Sequence, residues 1–76
     1  MAELLEYLAR QLVDEPDAVS VEQAEVEDEL VLRLHVAEAD RGKVIGRQGR
    51  VARALRAVVR ASAVRERRRV RLEIVD

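Results

Sequence analysis

Apolar residues in the first thirteen positions recur at helical spacing. Leu4, Leu5, Leu8, Leu12 and Val13 fall on one side, with Glu3, Glu6 and Arg10 between them. A period near 3.6 predicts an amphipathic helix over residues 3–13. Pro16 stops it, because a proline ring cannot continue the helical hydrogen-bond pattern. The period then changes. Val19 and Val21 alternate with Ser20 and Glu22, while Ala24 and Val26 alternate with Glu25 and Glu27, so the apolar parity slips by one near Gln23. One strand with a bulge at that point is expected. After the acidic turn Glu27, Asp28, Glu29, the residues Leu30, Leu32, Leu34 and Val36 alternate strictly with Val31, Arg33 and His35. This predicts a second strand, hairpin-paired to the first.

The second half is punctuated by glycine. Residues 38–45 suit a brief helix, with Asp40 as its cap and Gly46 as its end. From Arg50 onward, Val51, Leu55, Val58, Val59 and Ser62 mark the inward stripe of a longer helix. The segment Gly46, Arg47, Gln48, Gly49 therefore lies between two helices. Arg65 to Arg69 form a charged connector, and Val70, Leu72 and Ile74 alternate with Arg71 and Glu73 as a last strand. The order helix, strand, strand, helix, helix, strand predicts one α+β domain over residues 1–76, a three-stranded sheet with its helices packed on one face.

Size and composition narrow what such a domain can do. At 76 residues the chain buries only about 60% of its unfolded surface, so a homodimer or another partner would add useful stability. It has no cysteine, which excludes disulfides and thiolate metal sites. Its one histidine, two serines and absent threonine leave little for nucleophilic or acid–base catalysis. His35 falls on the charged side of the second strand, beside Arg33. No enzyme, metal, cofactor or small-molecule substrate is expected. No apolar run approaches the roughly 20 residues that span a bilayer, and Glu3 and Glu6 break the order of a signal peptide. A cytoplasmic location away from membranes is the expectation.

The net charge of −1 conceals a segregation. Residues 1–40 carry two bases against twelve acids, a net of −10, and residues 41–76 carry twelve bases against three acids, a net of +9. Such asymmetry fits one half that faces a polyanion and one that faces away; the plainer alternative is two halves that neutralise each other across the fold.

The glycine loop favours the first reading. Glycine permits positive φ and leaves no Cβ to keep a sugar–phosphate backbone at a distance. The helix that starts near Arg50 directs unpaired N–H groups and its positive dipole end at whatever the loop holds. Arg47 and Arg50 add charge, with Arg41 and Lys43 before them; these are phosphate contacts by type, which position a strand without reading its sequence. Arg53 continues the series. Arg56 and Arg60 lie further along the helix and read as well as a solvated face, and Arg67 to Arg69 serve equally as protection of an edge strand.

The stretch Gly42, Lys43, Val44, Ile45, Gly46, Arg47, Gln48, Gly49, Arg50 resembles the signature of KH domains, and the element order resembles their bacterial, type II arrangement. With the Leu-rich first helix, Ala54, Leu55, Arg56 and the ending Leu72, Glu73, Ile74, Val75, the whole chain is similar to the KhpA family of small stand-alone KH proteins. The resemblance implies single-stranded RNA across a narrow groove, with Gly46 to Gly49 clamping about four nucleotides. It implies contacts from Lys43, Ile45, Gly46, Arg47, Gln48, Gly49, Arg50 and Arg53, and a platform for bases from Val44, Ile45, Val51 and the second strand. With Tyr7 as the sole aromatic, bases cannot stack as they do on RRM or OB surfaces. The resemblance further implies a homodimer, a KhpB-like (Jag/EloR) KH partner, and an RNA-chaperone or post-transcriptional role linked to cell wall and cell shape. The rival expectation is a protein–protein dimerisation adaptor with residual RNA binding.

Overall fold

The computed structural model describes residues 1–75. Helix α1 (Ala2–Leu12) is built from strong helix formers, with Glu6 and Arg10 ion-paired one turn apart. It ends where Val13 turns extended, and Pro16 opens a single 3-10 turn, Pro16–Ala18, where its missing N–H costs nothing. Strands β1 (Ser20–Val26) and β2 (Glu29–His35) then form an antiparallel hairpin. Helix α2 (Arg41–Ile45), the glycine loop, helix α3 (Arg50–Arg65) and strand β3 (Arg69–Ile74) follow. The sheet order is β1-β2-β3, with β3 parallel to β2, so both β1 and β3 are edges. The α+β class and the element order are those expected.

The even residues of β2 enter the core. Leu30, Leu32 and Leu34 join Leu72 of β3 on the helix side of the sheet, where Leu5, Ala9, Val44, Leu55 and Val59 close over them. Leu5, Leu32 and Leu34 are fully buried, each contributing roughly 1.5–3 kcal/mol. Odd positions face away from the helices and form a charged ladder. Arg33 Nε lies 3.1 Å from Glu73, Arg71 reaches Glu29 at 3.7 Å and Glu73 at 3.5 Å, and His35 Nε2 is 3.2 Å from Glu22. Val31, opposite Ala24 and Arg71 in register, is fully buried within that ladder.

Four expectations require correction. No bulge interrupts β1: its seven residues pair consecutively, from Ser20↔His35 to Val26↔Glu29. The parity slip instead sends Ala24 and Val26 to the ladder face and leaves Gln23 and Glu25 on the helix side of an edge strand, where water reaches them. The inward stripe of α3 is Ala52, Leu55, Val59 and Ala63, while Val58 stays exposed. Helix α1 likewise buries Leu5 and Ala9 and leaves Leu4 and Leu12 partly open. Finally, Asp40 occupies the N-cap position of α2 but makes no side-chain cap to it; its carboxylate is engaged elsewhere.

Candidate nucleic-acid interface

The loop between α2 and α3 is a tight turn with three positive φ values in four residues. Gly46 (φ 76°, ψ 170°) closes α2, its N–H donating to the Gly42 carbonyl at 2.9 Å. Gln48 (φ 57°) and Gly49 (φ 74°) are left-handed, and the Gly49 N–H donates to the Gly46 carbonyl at 3.1 Å. The two glycines are required for different reasons. A Cβ on Gly46 would stand 2.5 Å from Val51 Cγ2 and 2.8 Å from Val51 N, so no side chain fits. At Gly49 the nearest atom is Arg53 Nη1 at 3.5 Å. Backbone conformation alone sets that choice.

Several of the expected residues lie around this turn. Arg47 and Gln48 are exposed at its tip, Ile45 is 39% exposed beside it, and the Arg53 guanidinium lies next to Gly49. Helix α3 starts without a side-chain cap, and its first N–H, that of Arg50, donates to the Arg47 carbonyl within the turn. Arg50 lies on the α1 side of α3, lining an apolar groove with Leu8, Leu12, Val51, Ala54 and Val58. Arg56 Nε donates to the Leu72 carbonyl of β3 at 3.4 Å. The expected base platform is smaller than its sequence suggested. Val44 and the even residues of β2 are sealed in the core, and of that set Ile45 and the half-buried Val51 reach the surface.

Pairing separates the basic residues into two classes. Arg10, Arg33, Lys43, Arg68 and Arg71 each meet a carboxylate. Among the described residues, Arg47, Arg50, Arg53, Arg56, Arg60, Arg65, Arg67 and Arg69 enter no ion pair. Acids of the first half thus pair with Lys43, Arg68 and Arg71, while the arginines of the loop and of α3, with Arg67 and Arg69 after it, meet no carboxylate.

Lys43 is the exception among the expected contacts. Its Nζ donates to Asp14 and lies 3.5 Å from Asp40 Oδ1. Asp40 is 1% exposed, and its carboxylate accepts the backbone N–H groups of Asp14 (3.2 Å) and Glu15 (3.0 Å), tying the end of α1 to the start of α2. Burial opposes ionisation of Asp40, but the two N–H bonds and Lys43 outweigh it, and its pKa falls below the ordinary carboxylate value. The hydrogen bond to Asp14, against some desolvation, raises the Lys43 pKa above its ordinary value. Asp40 reads in the sequence as a cap and Asp14 as a helix end; nothing in their spacing, 26 residues apart, shows that they meet.

A family model described as the KH domain of KhpA/KhpB matches residues 2–74. The RNA-binding protein KhpA of Clostridium acetobutylicum is 51% identical over 75 residues, covering 99% of this chain and all of that protein. The proteins of the same name from Halalkalibacterium halodurans and Bacillus subtilis are 50% and 41% identical over 76 residues, covering this chain fully and 100% and 94% of theirs. Among solved structures, Era in complex with MgGDPNP and nucleotides 1506–1542 of 16S ribosomal RNA superposes with a TM-score of 0.65 at 22% identity. That match covers 96% of this chain but only 28% of the Era chain, and it speaks to the fold alone. With the element order, the glycine turn between α2 and α3, and relatives matched over essentially their full length, the chain belongs to the KhpA/KhpB family of KH domains.

Proposed function

We propose that this chain binds single-stranded RNA, gripping its backbone at Gly46, Arg47, Gln48 and Gly49, with phosphates met by Arg50, Arg53 and Lys43 and a base resting on Ile45. The observation that carries this reading is the coincidence of a tight turn bounded by two glycines with the unpaired guanidinium groups of Arg47 at its tip and Arg53 beside Gly49. Membership of a family whose named relatives are RNA-binding proteins supports it. The contacts are to phosphate and to one apolar side chain, so binding is weak per domain and tolerant of sequence. In the cell the chain acts, on this proposal, as a cytoplasmic RNA chaperone or post-transcriptional regulator, paired with a KhpB-like protein and linked to cell-wall and cell-shape control.

Dimerisation is the second part of the proposal and the whole of the rival adaptor reading. The groove of about 450 Å³ between α1 and α3, lined by Leu8, Leu12, Val51, Ala54, Leu55 and Val58, favours it. Two copies, or one copy with a KH partner, would present two loops, and linked weak sites gain avidity without new contacts.

Fluorescence anisotropy with single-stranded RNA over a salt series tests the RNA reading, using Gly49→Asp as the variant. Gly46 is unsuitable because any side chain there collides with Val51, whereas Asp tolerates the left-handed conformation of Gly49 and places a carboxylate beside Arg53. The native chain is expected to bind with a log–log slope near −0.7 per phosphate contacted, and the folded variant to lose at least about tenfold in affinity. Equal binding by the two chains assigns the loop no role and leaves the adaptor reading.

A further inference from the structure

Lys43 is expected to touch RNA, yet in the free protein its ammonium is occupied. Two carboxylates hold it, and they differ. Asp40 is sealed and fixed by two backbone N–H bonds. The Asp14 side chain is 80% exposed and has Lys43 as its one ion-pair partner among the described residues. Lys43 itself is 44% exposed and sits in the helix that runs directly into Gly46, one turn before it. Of the two carboxylates, that of Asp14 is the one open to solvent.

We propose that Asp14 is an internal stand-in for an RNA phosphate: it holds Lys43 in the free protein and yields it to the backbone of bound RNA, while Asp40 keeps the lysine in place. The proposal rests on the RNA-binding reading above and adds to it the residue that sets how strongly Lys43 contributes. The exchange is chemically even, one oxyanion for another, and an exposed pair screened by solvent is easily given up. Its consequence is discrimination. An RNA segment whose phosphate reaches Lys43 gains a contact, and one whose phosphate does not leaves Asp14 in place, adding a negative charge beside the loop. Asp14 is therefore a positioning residue for binding, acting through Lys43.

The exchange has a signature in salt dependence. In the native chain Lys43 gains a phosphate and loses a carboxylate, so its net release of counterions is small. With Asp14→Asn, Lys43 is free to act as a full phosphate contact. Single-stranded oligonucleotides titrated over a salt series are expected to bind this variant about fivefold tighter at about 50 mM salt, with a slope steeper by up to about 0.7. Lys43→Gln in the Asp14→Asn background is expected to abolish both changes. Asp17→Asn, which removes a nearby exposed carboxylate that does not hold Lys43, is expected to leave the slope unchanged.

Unchanged affinity and slope in Asp14→Asn would overturn the proposal. So would a gain that survives Lys43→Gln, which would mark Asp14 as one more repelling charge. If native and Gly49→Asp chains fail to differ, the loop reading falls and this proposal with it; if they differ while Asp14→Asn matches the native chain, only this proposal falls. Circular dichroism of each variant establishes that it is folded.

Discussion

Asp40 shows how much a single carboxylate can fix. Its two oxygens accept from two consecutive N–H groups, those of Asp14 and Glu15, and no other side chain of that length can do so with both atoms as acceptors. In Asp40→Asn one acceptor becomes an NH2 donor facing a backbone N–H, and the charge that orients Lys43 is gone. The native stabilisation has a defined pH window. Because the folded carboxyl has a lowered pKa, the unfolded chain takes up the proton first, and the stability Asp40 confers is full above about pH 4 and is lost as pH falls through the folded value. Urea denaturation of native and Asp40→Asn chains is expected to show the variant less stable at neutral pH, with the gap narrowing below about pH 4. Parallel curves down to about pH 3 would mean that the charge of Asp40 contributes nothing.

At the scale of elements, the joints use conformations that their residues do not advertise. Helix α3 ends with the N–H of Arg67 donating to the Val64 carbonyl (3.2 Å) and that of Arg68 to the Ala63 carbonyl (2.9 Å), with Arg67 at φ 56°. This is a Schellman ending with arginine where glycine is usual. Arg67→Gly is expected to raise stability by roughly 0.5–1 kcal/mol, the relief of a left-handed side chain less the entropy of a freer unfolded chain. Arg67→Ala, which keeps the strain, is expected to give no gain in the same denaturant titration.

The β1–β2 turn is built likewise, from Glu27 and Asp28 at φ 50° and 68° rather than the Asn-Gly that marks such turns. These joints explain what the sequence withheld. Periodicity marks α1, α3, β2 and β3, because core leucines and valines repeat at the period of their element, and the glycine that ends α2 sets the loop between two helices. Ala52 and Ala63 are hard to read as inward positions beside Val58 because a methyl group carries little hydrophobic signal even where the helix buries it. Apolar parity suggests a bulge in β1, but at an edge strand water relaxes the rule that polar residues face outward. The contact of Asp40 with Asp14 and Glu15 joins two separate turns and has no local pattern at all.

The whole molecule resolves the charge asymmetry of the chain. Acids of the first half do meet bases of the second, as in Asp14–Lys43, Glu25–Arg68 (2.5 Å) and Glu29–Arg71. They do so around the sheet and the base of α2, and the guanidinium groups of Arg47, Arg50 and Arg53 are left unpaired by the loop. Part of the asymmetry is thus neutralised across the fold, and part remains as unpaired arginines at the loop, along α3 and in the connector to β3. This predicts that the effect of removing a base depends on its position in that division and not on its charge. Arg33→Gln, which breaks a ladder pair with Glu73 on the face away from the helices, is expected to shift stability by no more than about 1 kcal/mol and to leave the salt dependence of RNA binding as it was. Arg53→Gln removes a free guanidinium beside Gly49 and is expected to reduce the magnitude of the slope by about 0.7, the share of one phosphate contact. Equal slopes for the two variants would mean that RNA responds to the net charge of the molecule as a whole, and the loop would lose its claim to be the place where that charge is used.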